Sequence, residues 1–443
     1  MEFIHQNLAL IMFASVFFFL LLGYPVAFSI GGVSLIFGLI GFGPQFFQLL
    51  PLRIWGRMTN FTLLAVPLFV YMGVMLERSG LAEELLETMG LAFARIRGGL
   101  AISVIIVGAL LGASTGIVGA TVVTMGLLSL PTMLKQNYTK SLATGTVAAS
   151  GTLGQIIPPS IVLVLLGSIM NVPIGDLFVG ALIPGLILVV LYIMYVFIIA
   201  SVKPEWAPPL PQEYLDSISR AEMTRMVMKA LLPPLFLIMA VLGSIFAGIA
   251  SPTEAAAVGA VGATLLTAMQ GKFNLKTLME VMKGTTNLTC MVFIILIGAT
   301  TLGLVFRGLN GDAQVRDLIL GLPYGKWGIL SIVMGIIFIA GFFLDFIEIT
   351  FIIVPVLAPI MLHLGVDPLW LAVLIAVNLQ TSFLTPPFGF SLFYLKGVAP
   401  KGVETIDIYK GIIPFVIIQI IGLLIICIFP KSITWLPKVL LGG

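Results

Sequence analysis

The chain is poor in the groups that chemistry at a water-filled active site requires. Only 9% of its 443 residues are charged, and it holds two histidines and two cysteines. His5 and His363 alone do not assemble a zinc site or a Ser/His/Asp triad. Cys290 and Cys427 both lie in apolar runs, which argues against a disulfide framework or a thiolate metal site. A phosphate loop is also missing. The nearest approach, Gly321-Leu-Pro-Tyr-Gly325-Lys326, is followed by Trp327 where Ser or Thr is needed, so ATP is not the energy source within this chain. The net charge of +3 comes with no aromatic-interleaved basic patch, so no nucleic-acid partner is expected. The apolar run from Met1 to Leu22 has no basic segment before it and no Ala-x-Ala site after it. It reads as a retained helix rather than a cleaved signal. The expectation is a protein that is not an enzyme and carries no cofactor.

What is abundant is apolar: 59% of the residues, beyond what a soluble globular chain carries. This points to an all-α polytopic membrane protein whose first partner is the lipid bilayer. Apolar segments of spanning length fall at about 7–23, 26–42, 58–76, 141–170, 177–200, 231–250, 254–270, 286–306, 369–395 and 411–430. Two more are interrupted, 98–134 at Gly112-Ala-Ser-Thr-Gly116 and 327–362 around Gly341-Phe-Phe-Leu-Asp345. Each reads either as a pair of full crossings or as a re-entrant hairpin whose tip stops at mid-depth. Treating both as re-entrant, with an external N-terminus, puts 15 of the 22 Lys and Arg on the cytoplasmic side, as positive-inside bias requires.

Ile156-Ile157-Pro158-Pro159-Ser160 and Leu384-Thr385-Pro386-Pro387-Phe388 place a double proline inside two of the apolar runs, 228 residues apart (386 − 158). Proline lacks a donor and breaks the ladder, so both spans should break at mid-depth and expose carbonyls that hydrocarbon does not satisfy. The same offset relates Pro131 to Pro359, Met133 to Met361 and Gly80 to Gly308. The expected organisation is an inverted-topology repeat with two re-entrant helical hairpins and two broken helices. Residues 1–202 form the first repeat, with a hairpin at about 98–134 and a broken helix at about 141–170. Residues 203–230 are a cytoplasmic linker rich in proline. Residues 231–443 form the second repeat, with a hairpin at about 327–362 and a broken helix at about 369–395. Such repeats bind cargo at the interface of their halves.

Broken helices and hairpin tips offer the oxygen ligands a sodium ion needs. One expected sodium site joins Ser114 and Thr115 to Gly154, Ile157 and Pro159, and the other joins Gly341 and Asp345 to Ser382, Thr385 and Phe388. Asp345 stands out, because a carboxylate inside a span is costly and marks an ion or substrate path. Glu348, three residues on, would share its face. Ser251-Pro252-Thr253-Glu254 instead matches a capping box, a structural role. Neither hairpin nor either broken helix has a Lys or Arg in its central part. An anionic substrate would therefore be held by hydroxyls, backbone and helix ends at Thr115, Gly116, Thr152, Pro158, Ser160, Thr381 and Pro386, with sodium supplying the positive charge. Arg53, Arg57, Arg307 and Arg316 fall on the outer side and would dock an acidic soluble partner.

With these residues placed, the chain resembles the large membrane subunit, DctM-type, of TRAP (tripartite ATP-independent periplasmic) transporters. The likeness rests on Gly23-Tyr-Pro-Val-Ala-Phe28, Leu64-Ala-Val-Pro-Leu-Phe69, Gly151-Thr-Leu-Gly-Gln-Ile-Ile-Pro-Pro-Ser160, Ser251-Pro-Thr-Glu-Ala-Ala-Ala257 and Leu384-Thr-Pro-Pro-Phe-Gly389, in family order. It implies an elevator-type, sodium-driven importer of an organic acid in the bacterial inner membrane. It also implies a periplasmic substrate-binding protein and a small four-helix membrane subunit, here a separate chain because the family pattern starts almost at Met1. The two sites above fall where the family binds sodium. At the first tip Ile117, Val118 and Gly119 depart from the serine-rich pattern of many relatives, so carbonyls would do most of the ligation there. The tip is similar to the branch that handles 2-oxo acids and related monocarboxylates. The rival reading is an autonomous divalent-anion/sodium symporter needing no binding protein.

Overall fold

A computed structural model describes residues 7–209, 219–386 and 389–442. Every regular element among them is helical. In chain order the α-helices are α1 Leu8–Leu21, α2 Val26–Phe42, α3 Leu50–Met58, α4 Ala65–Arg78, α5 Leu81–Ala92, α6 Gly99–Thr115 and α7 Val118–Lys135. They continue with α8 Lys140–Thr152, α9 Ile161–Met170, α10 Ile174–Val202, α11 Arg220–Phe246, α12 Pro252–Met269, α13 Leu275–Gly308 and α14 Gly311–Leu320. The remainder are α15 Lys326–Ala340, α16 Phe346–Ile352, α17 Val354–His363, α18 Pro368–Leu384, α19 Phe390–Val398, α20 Thr405–Ile428 and α21 Lys431–Leu440.

Six helices among the described residues are long and apolar enough to cross a bilayer, or seven if α16 and α17, bent by 56°, count as one span. The predicted segments 7–23 and 26–42 form helices of 14 and 17 residues, at or below the length a crossing needs. On α10 the large apolar side chains of Leu186, Val190, Phe197 and Ile198 are exposed, the face a lipid-embedded helix presents. The start of α12 is fixed as its sequence reads: Ser251 and Glu254 cap each other's backbone and Pro252 takes the first turn, where its missing donor costs nothing.

Burial peaks in two helices. Every residue from Leu142 to Thr152 in α8 and from Trp370 to Leu384 in α18 is buried. Small residues let α8 approach α20 until the backbones touch: a Cβ on Gly145 would overlap the Gly411 carbonyl. α18 is held by hydrogen bonds, its Trp370 indole donating to the Ile426 carbonyl of α20 at 3.0 Å and its Asn378 amide to the Met334 carbonyl of α15 at 2.8 Å. These two helices run into the two double prolines, so the breaks lie in the densest part of the molecule.

Candidate functional site

Both breaks follow from the same subtraction. Pro158 and Pro159 have no N–H, so the carbonyls four residues upstream, on Gly154 and Gln155, lose their helical donors. The helix tightens into a 3-10 turn at Leu153–Gln155 and stops. The Ser160 hydroxyl then donates to the Gln155 carbonyl at 2.6 Å and, in the same position, caps the restart of α9. In the second break Pro386 and Pro387 withdraw donors from Ser382 and Phe383. The Phe383 carbonyl receives the Ser391 hydroxyl at 3.0 Å, and the Ser382 carbonyl the Thr385 N–H at 3.1 Å. The carbonyl of Gly154 loses its helical donor to Pro158 in the same way.

Each break is met by a turn between two helices. α6 and α7 pack on each other and join through Gly116, whose φ of +62° closes the turn. On this hairpin Gly112 lies backbone to backbone with Gly154, where a Cβ would come within 2.6 Å of the Gly154 nitrogen. Gly116 faces the Ile161 backbone in the same way, at 3.3 Å. The turn is buttressed from outside by Gly73 of α4, against the Thr115 backbone. Between α15 and α16 a second turn brings Gly341 against Ser382, whose hydroxyl a Cβ at 341 would overlap. Asp345 then caps α16: its Oδ1 accepts the Phe346 N–H at 2.7 Å, and its own N–H donates to Glu348 Oε2 at 3.1 Å. The two acids form one capping box with Glu348 buried.

Of the residues expected at the two sites, Ser114 and Thr115 end α6, whose Gly112 meets Gly154 before the first break, and Gly341 meets Ser382 before the second, with Thr385 at the end of α18 and Asp345 at the start of α16. Phe388 lies outside the described residues. Most hydroxyls here are turned back on their own helices: Ser114 to the Leu111 carbonyl, Ser382 to Leu379, Thr381 to Val377 and Thr385 to Thr381, all at 2.8 Å. Thr115 pairs with Thr121 at 2.9 Å.

Between the two turns lies a cavity of about 340 Å³. Its wall carries Ile117, Val118 and Gly119 from the first turn, Asp345 and Phe346 from the second, and Phe383, Phe390 and Tyr394 from either side of the second break. Val70 of α4 and Met291 of α13 close it. Asp345 is its sole charged residue among the described ones, and Tyr394, whose ring packs 2.9 Å from a Cβ position on Gly119, brings a hydroxyl. None of Thr115, Gly116, Thr152, Pro158, Ser160, Thr381 or Pro386 lines it. The apolar wall residues escape sequence reading, because in an apolar helix nothing separates a residue facing a cavity from one facing lipid; only Phe383 and Phe390, beside the prolines, had a local signal.

Of the four arginines expected to dock a partner, Arg53, Arg57 and Arg307 line a different, smaller cavity together with Asp312, while Arg316 pairs with its neighbour Asp317 at 3.1 Å.

A family model described as tripartite ATP-independent periplasmic transporter, DctM component, matches residues 13–432. The chain is 30% identical to the C4-dicarboxylate TRAP transporter large permease protein DctM of Pseudomonas aeruginosa, across 92% of this chain and 93% of that one. It is 30% identical to the sialic acid TRAP transporter large permease protein SiaM of Vibrio cholerae, across 95% and 96%. A solved structure, the YdaH transporter of Alcanivorax borkumensis, matches at a TM-score of 0.62 over 88% of this chain and 90% of that one. Its 14% identity speaks for the fold alone. An all-helical permease with buried helix breaks, matched to this family over nearly its whole length, is what these findings describe: the chain belongs to the DctM component family of tripartite ATP-independent periplasmic transporters.

Proposed function

We propose that this permease imports an organic acid across the bacterial inner membrane, driven by sodium, with hairpins and broken helices moving together as an elevator. The substrate arrives on a periplasmic binding protein, and a small four-helix subunit, a separate chain, completes the membrane part. The observation that carries the reading is the seating of each glycine turn on a proline-broken helix, Gly112 on Gly154 and Gly341 on Ser382. Backbone approach this close would allow oxygens of turn and break to share the coordination sphere of an ion.

Sodium would be held by Gly154, Ile157 and Pro159 carbonyls with Ser114 and Thr115 on one side, and by Gly341, Ser382, Thr385 and Phe388 with Asp345 on the other. The substrate carboxylate enters a cavity without Lys or Arg, so bound sodium supplies the charge that compensates it. That dependence is the coupling. Two Na+ carried with one monocarboxylate move a net charge of +1 per cycle, to which the membrane potential adds about 2.3 kcal/mol per charge per 100 mV. The apolar wall favours an acid with a small aliphatic body, consistent with a 2-oxo acid or related monocarboxylate. The relatives' cargoes, C4-dicarboxylate and sialic acid, show that family membership alone leaves the cargo open.

The test is uptake into proteoliposomes holding this chain and its small subunit, with and without the binding protein and a sodium gradient. Uptake that needs both fits the proposal. Sodium-dependent uptake by the membrane part alone would instead mark an autonomous symporter, and uptake indifferent to sodium would remove the coupling.

A further inference from the structure

The second cavity is small, about 80 Å³, and its charge is lopsided. Arg53 and Arg57 of α3, Arg307 at the end of α13 and Asp312 of α14 all line it. Three guanidinium groups less one carboxylate leave two positive charges. None of these arginines has an ion pair or hydrogen bond among the described residues, where the ion pairs are Arg78–Glu280 and Arg316–Asp317. The crowding registers on Arg57, whose charged form is disfavoured first by burial and then by Arg307 and Arg53. On Asp312 burial favours the neutral form and Arg307 opposes it, so that carboxylate offsets only part of the excess.

Guanidinium groups keep their charge and present paired donors that match a carboxylate. Arg53 and Arg307 are exposed and Arg57 is half-buried, so the three side chains line the hollow while two of them also reach the surface. The hollow's size suits several waters or a carboxylate with a short tail. Beyond the arginines most of the wall comes from α13, between Leu296 and Phe306, and one side is closed by Phe351 of α16 and Pro355 and Val356 of α17, the segment that begins at Asp345.

We propose that Arg53, Arg57 and Arg307 form a second, sodium-independent site for a small carboxylate anion, distinct from the cavity between the hairpin turns. Its ligand is a free organic anion released near the membrane surface, and its position against α16 and α17 makes it a staging point next to the second hairpin. The site stands whether or not sodium drives transport.

The test is thermal unfolding of the purified full chain with its small subunit, titrated with pyruvate, acetate or chloride at fixed ionic strength in sodium-free buffer. The carboxylates should stabilise saturably and chloride should not. In the Arg57→Gln/Arg307→Gln variant half-saturation should rise at least tenfold, while Arg57→Lys/Arg307→Lys retains part of the effect. Any sodium-dependent shift should persist in the glutamine variant, which also shows that it folds. Asp345→Asn should leave the sodium-free response intact, so loss of sodium effects there bears on transport and not on this site. No saturable carboxylate response in the parent overturns the proposal, as does an equal response in the glutamine variant. So does a result in which the arginine variants lose only binding-protein-stimulated uptake, which would assign the hollow to an acidic side chain of that protein.

Discussion

The Gln380 side-chain amide donates to the Thr152 hydroxyl at 3.5 Å, and these two residues are 228 positions apart, the offset that separates the two double prolines. Residues related by a twofold axis touch only if they lie on it. A twofold axis relating the two halves would therefore have to pass between the ends of α8 and α18. Both side chains are fully buried, and the Gln380 carbonyl oxygen has no protein partner among the described residues.

That contact predicts a measurable coupling. Thr152→Val leaves the Gln380 amide buried without its acceptor, which costs about 1–3 kcal/mol. Gln380→Leu made in that background should recover part of the loss, because both polar partners are then gone. The bond is long, so a double-mutant cycle on denaturant unfolding in detergent should give a coupling of about 0.5 kcal/mol. Strict additivity of the two changes would mean that the pair is in proximity without interacting.

Gly112→Ala should abolish uptake while leaving much of the fold. A Cβ there meets the Gly154 nitrogen and Cα at 2.6 Å, and backbone on a proline-locked turn has nowhere to retreat. Gly335→Ala is the matched control, since nothing lies within 4 Å of its Cβ position, and a helical Ala should be stabilising by about 0.5–1 kcal/mol. If both variants transport equally, the close seating of turn on break has no role in function.

Asp345→Asn separates capping from charge. Asparagine caps a helix as well as aspartate, so α16 should form and the protein should express normally. The half-saturating sodium concentration should rise about tenfold, which corresponds to about 1.4 kcal/mol. A sodium curve superimposable on the parent's would take Asp345 out of the ion path and leave it as a cap.

How much of this was legible before folding differs from residue to residue. The ends of α8 at Thr152 and of α18 at Leu384 are written in residue type, because a missing N–H is a covalent property of proline. The capping box at Ser251 and Glu254 is likewise local. The partner that mends each break is not: Ser160 directly follows its prolines, but Ser391 lies four residues beyond Pro387, a register fixed only when the chain folds back. The Asp345–Glu348 box was visible as two acids on one face, yet the spacing did not say that one would cap and the other brace it. Val70 and Met291 reach the cavity through tertiary packing alone. The converging arginines come from helices far apart in sequence, and nothing local to α3 or α13 foretells their meeting.

The mending serines can be tested directly. Ser160→Ala leaves the Gln155 carbonyl buried without its donor, and Ser391→Ala does the same to Phe383. Each should lower stability by about 1–3 kcal/mol. Ser160 also accepts from the Leu163 N–H at the start of α9, so its loss should be the larger of the two. Unfolding midpoints that rank the other way would mean that the second break, not the first, bears more of the strain.

Gly119 and Tyr394 give the sharpest test of the cavity, because they join the first turn to the helix after the second break. A Cβ on Gly119 would stand 2.9 Å from the Tyr394 ring, too close unless the ring moves. Gly119→Ala should therefore reduce uptake, with most of the loss in maximal rate, because the ring is forced into or away from the cavity. Tyr394→Phe in the same chain keeps the ring and should not help. Tyr394→Leu removes the clash and should restore rate, at the cost of whatever the hydroxyl contributes to substrate affinity. Rescue by leucine but not by phenylalanine, read as the separate effects on maximal rate and half-saturating substrate, ties the two hairpin regions to one binding space. Failure of leucine to rescue would show that Gly119 is needed for the turn itself and not for its fit against Tyr394.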